Sequence, residues 1–92
     1  MLGTRMKCKD DFDSVCAAAL EMKNMKRSAV SICNISDTTL YVYGWQFGVS
    51  DVVQFADKTL SGWERSVTDL SRWTRSIEYT HGLFKVRLEM MM

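Results

Sequence analysis

Thr39-Leu40-Tyr41-Val42-Tyr43-Gly44-Trp45-Gln46-Phe47 decides how this chain folds. In an extended strand every second side chain shares a face. Tyr41, Tyr43, Trp45 and Phe47 therefore line one side, and Leu40, Val42, Gly44 and Gln46 the other. Both sides are apolar over much of their length, the pattern of an interior strand. Four aromatics on one face either anchor a core against helices or form a surface that grips a partner. Gly44 leaves a gap among Leu40 and Val42, as a bulge or a close backbone approach would.

Upstream, residues 1–9 carry no periodicity and read as a frayed end or short edge segment. A helix is expected from Asp10. Asp10 can cap it, Phe12, Cys16, Ala19 and Met22 recur at helical spacing, and Lys23, Lys26 and Arg27 complement the dipole at its end. Residues 28–35 then alternate, and Ser36, Asp37 and Thr38 connect them to the aromatic strand as an antiparallel hairpin.

Downstream, Val49, Val52, Val53, Ala56 and Leu60 fit a second helix, while Val53 and Phe55 could instead alternate in a strand; the helix is the expectation. Ser61 and Glu64 have the spacing of a capping box, which predicts a third helix with Trp63, Val67, Leu70, Trp73 and Ile77 along one face, stopped at Gly82. Phe84, Val86, Leu88 and Met90 alternate with Leu83, Lys85, Arg87 and Glu89 in a last half-buried strand. The expected order is α-β-β-α-α-β: an α+β fold with a three-stranded antiparallel sheet and two or three helices packed on it. Residues 1–92 are expected to make one small domain. A symmetric second copy would be one cover for the second face of so small a sheet, so a homodimer is expected as an option.

With 47% hydrophobic and 25% charged residues the composition is that of a globular chain, not a disordered tail. Twelve basic and eleven acidic side chains leave a net charge of +1, too balanced for a general polyanion binder. Arg5, Lys7 and Lys9, and again Lys23, Lys26 and Arg27, are local basic runs, but Asp10, Asp11 and Asp13 separate them and they read as solvated charge. Cys8, Cys16 and Cys33 are odd in number and irregularly spaced, which argues against a disulfide framework and for a reducing, cytoplasmic setting. No segment approaches the roughly 20 apolar residues of a membrane span, so no membrane partner is expected.

Catalytic signals are sparse. His81 is the only histidine, and its position before Gly82 is that of a helix-end residue rather than a general base. A cysteine paired with it could form a thiolate nucleophile. Cys16 and Cys33 instead read as small buried residues, and Cys8 as the most exposed of the three. The cysteines lack the close pairs of a zinc site, and the aspartates lack the glycine and terminal glutamate of a calcium loop. No metal or cofactor is expected, and no enzyme.

What remains is aromatic. Tryptophan, tyrosine and arginine dominate interface hot spots. The candidate partner-binding residues are Tyr41, Tyr43, Trp45 and Phe47 on the strand, with Arg72, Trp73 and Arg75 downstream. Trp73 sits on the predicted helical stripe as a core residue; tilted off it, Arg72, Trp73 and Arg75 form an exposed aromatic and guanidinium patch. The expected function is a non-enzymatic protein-binding module, with nucleic-acid binding through the basic and aromatic residues as the alternative. No family motif occurs. Small size and a proline-free, methionine-rich composition resemble those of viral and phage accessory proteins, which would imply an accessory or inhibitory role on a larger partner.

Overall fold

A computed structural model describes residues 2–25 and 29–92, with side chains from Lys7 onward. The expectations placed on Lys26, Arg27, Ser28 and the Arg5 side chain lie outside the described residues. The elements are α1 (Leu2–Lys23), β1 (Val30–Ile35), β2 (Thr39–Trp45), α2 (Gln46–Thr59), β3 (Glu64–Ser71), β4 (Thr74–His81) and β5 (Phe84–Met91).

The fold is α+β, but the three-stranded antiparallel expectation is wrong. Five strands form one mixed sheet in the order β1-β2-β5-β4-β3, with two helices. β1 and β2 form the antiparallel hairpin, β2 runs parallel to β5, and β5, β4 and β3 continue antiparallel. β2 is an interior strand, as its two-sided apolarity predicts. Its partner β5 pairs Leu40 with Val86, Val42 with Leu88 and Gly44 with Met90.

These residues face the helices. α1 buries Cys8, Phe12, Val15, Cys16 and Ala19, and α2 buries Gly48, Val49, Val52, Val53 and Ala56. Both stripes have helical spacing, so one side of each helix meets a single core with Leu40, Val42, Val86 and Leu88. Complete burial of each such aliphatic side chain contributes about 1.5–3 kcal/mol. α1 starts at Leu2, ahead of Asp10, so the segment expected to fray is helical backbone from Leu2 onward.

At Gly44, β2 passes hard against the start of β1. A Cβ there would collide with the Ala29 carbonyl oxygen and lie 2.8 Å from Val30 Cα, beside the irregularity in register between Val30 and Ile32. The gap expected at Gly44 is thus a close backbone approach. It also lets the Trp45 amide donate to the Ala29 carbonyl at 2.8 Å.

The third helix predicted from Ser61 does not form. Residues 64–81 are the β3–β4 hairpin, with Arg72 and Trp73 as its turn. The stretch is rich in Ser and Thr, which compete with helical hydrogen bonds, and its threonines, Val67, Ile77 and Tyr79 favour strands. Ser71 Oγ accepts the Trp73 amide at 3.1 Å and supplies turn chemistry that contains neither Gly nor Pro. Gly82, expected as a helix stop, is the left-handed residue of the β4–β5 turn, with φ of 58°. Trp63 and Ile77 are buried, whereas Val67, Leu70 and Trp73 are exposed, so the apparent helical stripe is split.

Candidate functional site

Both helices lie on the Leu40 and Val42 side of the sheet, and among the described residues no element covers the other side. The strand registers place its side chains in rows. One row runs Asn34, Tyr41, Arg87, Glu78, Ser66; the next runs Ile32, Tyr43, Glu89, Ser76, Thr68. A third, at one end of the sheet, joins Trp45, Met91 and Thr74.

The centre of this face is polar and tied together. Tyr41 donates its hydroxyl to Glu89 Oε2, and Arg87 lies 3.6 Å from the other carboxylate oxygen. Burial first, and then the hydrogen bond to Glu89, pushes the Tyr41 phenol up to about 12. Glu89 is almost wholly buried by these neighbours. Tyr43 Oη lies 3.7 Å from Met91 Sδ. Beside them is a shallow hollow of about 180 Å³ lined by Ser66, Thr68, Leu70, Ser76, Glu78 and Arg87.

The aromatic candidates separate by position. Tyr41 and Tyr43 are half-buried on the uncovered face, and Trp45, at its end, is 47% exposed. Phe47 does not share their face, because β2 ends at Trp45; it belongs to the first turn of α2 and is 71% exposed. Arg72 and Trp73 form the β3–β4 turn, and Trp73 is 63% exposed, so the core placement on a helical stripe is replaced by a surface one. Since Thr74 pairs with Met91 and Met91 with Trp45, this turn lies at the same end of the sheet as Trp45. Arg75 points to the helix side and holds Asp69 at 2.8 Å. Exposed aromatic residues from β2, α2 and the β3–β4 turn thus gather at one end.

The opposite end brings Cys8 and His81 together, a pairing that residue types allow but spacing does not show. Cys8 is buried, not the most exposed of the three thiols; Cys33 is the more open. Cys8 Sγ lies 3.6 Å from His81 Nδ1 and 3.7 Å from Nε2, with the Trp63 ring centred 5.7 Å from the imidazole. A sulfur almost equidistant from both ring nitrogens is aimed at neither, whereas proton transfer needs one directed bond. His81 ends β4 opposite Phe84 rather than ending a helix. This corner reads as packing of Phe12, Trp63 and Phe84 around the thiol and imidazole.

Among the described residues no three His, Cys, Asp or Glu side chains gather as a metal site. No described helix is long and apolar enough to cross a membrane. No family model, curated protein or solved structure matches this chain.

Proposed function

We propose that the protein is a non-enzymatic protein-binding module that engages its partner with the uncovered sheet face and the aromatic end beside it. The observation that carries this reading is the gathering of Trp45, Phe47 and Trp73 at one sheet end, each with about half or more of its surface in solvent. Monomeric surfaces rarely expose so many large aromatics together, and Trp, Tyr and Arg are the usual anchors of interfaces. The charge of the open face favours protein over nucleic acid. Glu64 and Glu78 balance Lys85 and Arg87 there, and Glu89 is buried against Tyr41, so a phosphate backbone laid across it would meet no net positive charge.

Trp45→Ala and Trp73→Ala test the reading, with Leu83→Ala as the contrast. Leu83 is also apolar and exposed, but lies in the β4–β5 turn at the far end of the sheet. All three variants should keep the native circular dichroism spectrum. The two tryptophan variants should lose partners captured by a photo-crosslinker placed at Phe47, and Leu83→Ala should retain them. Equal capture by all the variants would remove the aromatic end from consideration.

A further inference from the structure

We propose that β3 is a self-association edge, at which a second copy of this chain adds its own β3 antiparallel about a two-fold axis at Val67. β3 is the last strand of the sheet, and all eight of its residues are exposed. α1 packs on α2 and β1, and α2 packs on β2 and β5, so β3 extends beyond them with its outer backbone edge unpaired by any described strand. A long edge of this kind is a template for another strand unless something blocks it. Here no proline interrupts it, and the register irregularity between Asp69 and Ser71 lies past the Arg65–Asp69 stretch that would pair.

The side chains select the occupant. In a symmetric antiparallel pair with both sheets facing the same way, opposed residues sit on the same face, so one residue must face its own copy across the two-fold axis. With the axis at Val67, Arg65 of each copy faces Asp69 of the other, Ser66 faces Thr68, and Val67 faces itself. Moving the axis to Ser66 sets Arg65 against Val67, and moving it to Thr68 sets Asp69 against Val67. At Arg65 or Asp69, like charges meet on the axis. One register alone therefore pairs Arg65 and Asp69 with their opposites, leaving Glu64 opposite Leu70, and opposed charges across strands attract while like charges repel. Arg65 is held by Asp57 at 2.9 Å and by the Tyr79 ring, 5.8 Å from its guanidinium, and Asp69 by Arg75 at 2.8 Å. Their side chains are still 43% and 61% exposed, leaving room for a second contact. The product is a ten-stranded sheet, with the helices of both copies on one side and the two uncovered faces continuous on the other. Two strands, β5 and β4, separate this edge from Trp45 and Phe47, while Trp73 stands in the turn that follows β3.

Charge reversal tests it. The wild-type chain should show a concentration-dependent doubling of mass in sedimentation equilibrium. Arg65→Asp and Asp69→Arg should each be monomeric, because each sets like charges opposite one another. Mixed in equal amounts, the two variants should form a heterodimer, since one then carries acids at both positions, the other carries arginines at both, and every acid faces an arginine. If a reversal unfolds the chain, Arg65→Gln and Asp69→Asn should raise the dimer dissociation constant about two- to thirtyfold by removing two cross-strand pairs. A wild type that stays monomeric at every accessible concentration overturns the proposal. So does a dimer that survives both reversals, or reversed variants that fail to associate when mixed. Trp45→Ala should leave self-association unchanged, which separates this edge from the proposed partner surface.

Discussion

Gly44→Ala is the sharpest probe of how β1 is seated on the sheet. The added methyl would collide with the Ala29 carbonyl oxygen, and it would lie 2.8 Å from Val30 Cα and 3.1 Å from the Ala29 carbonyl carbon. All three obstacles are backbone, so no rotamer change relieves them. Either β1 shifts, at the cost of about 1–3 kcal/mol typical of overpacking, or the strand also gives up the Trp45 amide bond to Ala29, a further loss of about 0.5–1.5 kcal/mol. The combined loss of about 1.5–4.5 kcal/mol is a large part of the stability of a small domain and should lower the urea midpoint by about 1–3 M. Gly62→Ala is the control, because a Cβ there meets nothing within 4 Å. Gly48→Ala supplies a second contrast: its nearest obstacle is the Ala29 Cβ, so Ala29→Gly should recover part of that loss and none of the Gly44→Ala loss. Equilibrium denaturation followed by tryptophan fluorescence measures all of these. A Gly44→Ala midpoint within error of wild type would show that Ala29 and the start of β1 do not lie against Gly44.

Alkaline pH should destabilise the fold through two phenols. Burial, reinforced by hydrogen bonds to Glu89 and Asp57, pushes Tyr41 and Tyr79 each up to about 12, above the ordinary phenol value of about 10. A group that holds its proton more tightly when folded contributes its full stability below the unfolded value and loses it as pH rises from about 10 through about 12. The urea midpoint should fall over that window, and Tyr41→Phe or Tyr79→Phe should flatten the slope; a flat wild-type profile would contradict it. The thiols should also differ in reactivity. Burial, with Asp13 nearby, pushes Cys16 up to about 11, and burial raises Cys33 as well, so native Cys16 should be modified far more slowly at neutral pH than in urea. Rapid labelling of Cys16 in the native chain, mapped by peptide mass, would argue against that packing.

Much of the fold can be read along the chain, because strand and helix periods are local. Leu40 and Val42 alternating with Tyr41 and Tyr43 mark an interior strand, and Phe12, Cys16 and Ala19 mark the buried side of α1. Val49, Val52 and Ala56 mark that of α2. The hairpin over residues 64–81 is illegible locally, since Trp63, Val67, Leu70, Trp73 and Ile77 fit a helical period as well as two alternating strands. In the hairpin Val67 faces the helix side, Leu70 the open side, and Trp73 occupies the turn. The aromatic candidates show the same division: their residue types are visible in order along the chain, but their grouping at one sheet end is not.

By itself the sequence determined the α+β class, the interior position of the aromatic strand and the absence of strong net charge, while at Gly44 it left a bulge and a close backbone approach both open. Only the tertiary structure decided which side of that strand became core. The helices settle on Leu40, Val42, Val86 and Leu88, which carry no polar atom to satisfy, while Tyr41 finds its hydrogen-bond partner in Glu89 on the other side. The structure likewise turned 64–81 into strands. β5, lying parallel to β2, offers an edge along which Ile77 pairs with Leu88 and Tyr79 with Val86. That pairing, anchored on β5, outweighs helical spacing, because it buries Ile77 and Tyr79 while satisfying the backbone of both strands.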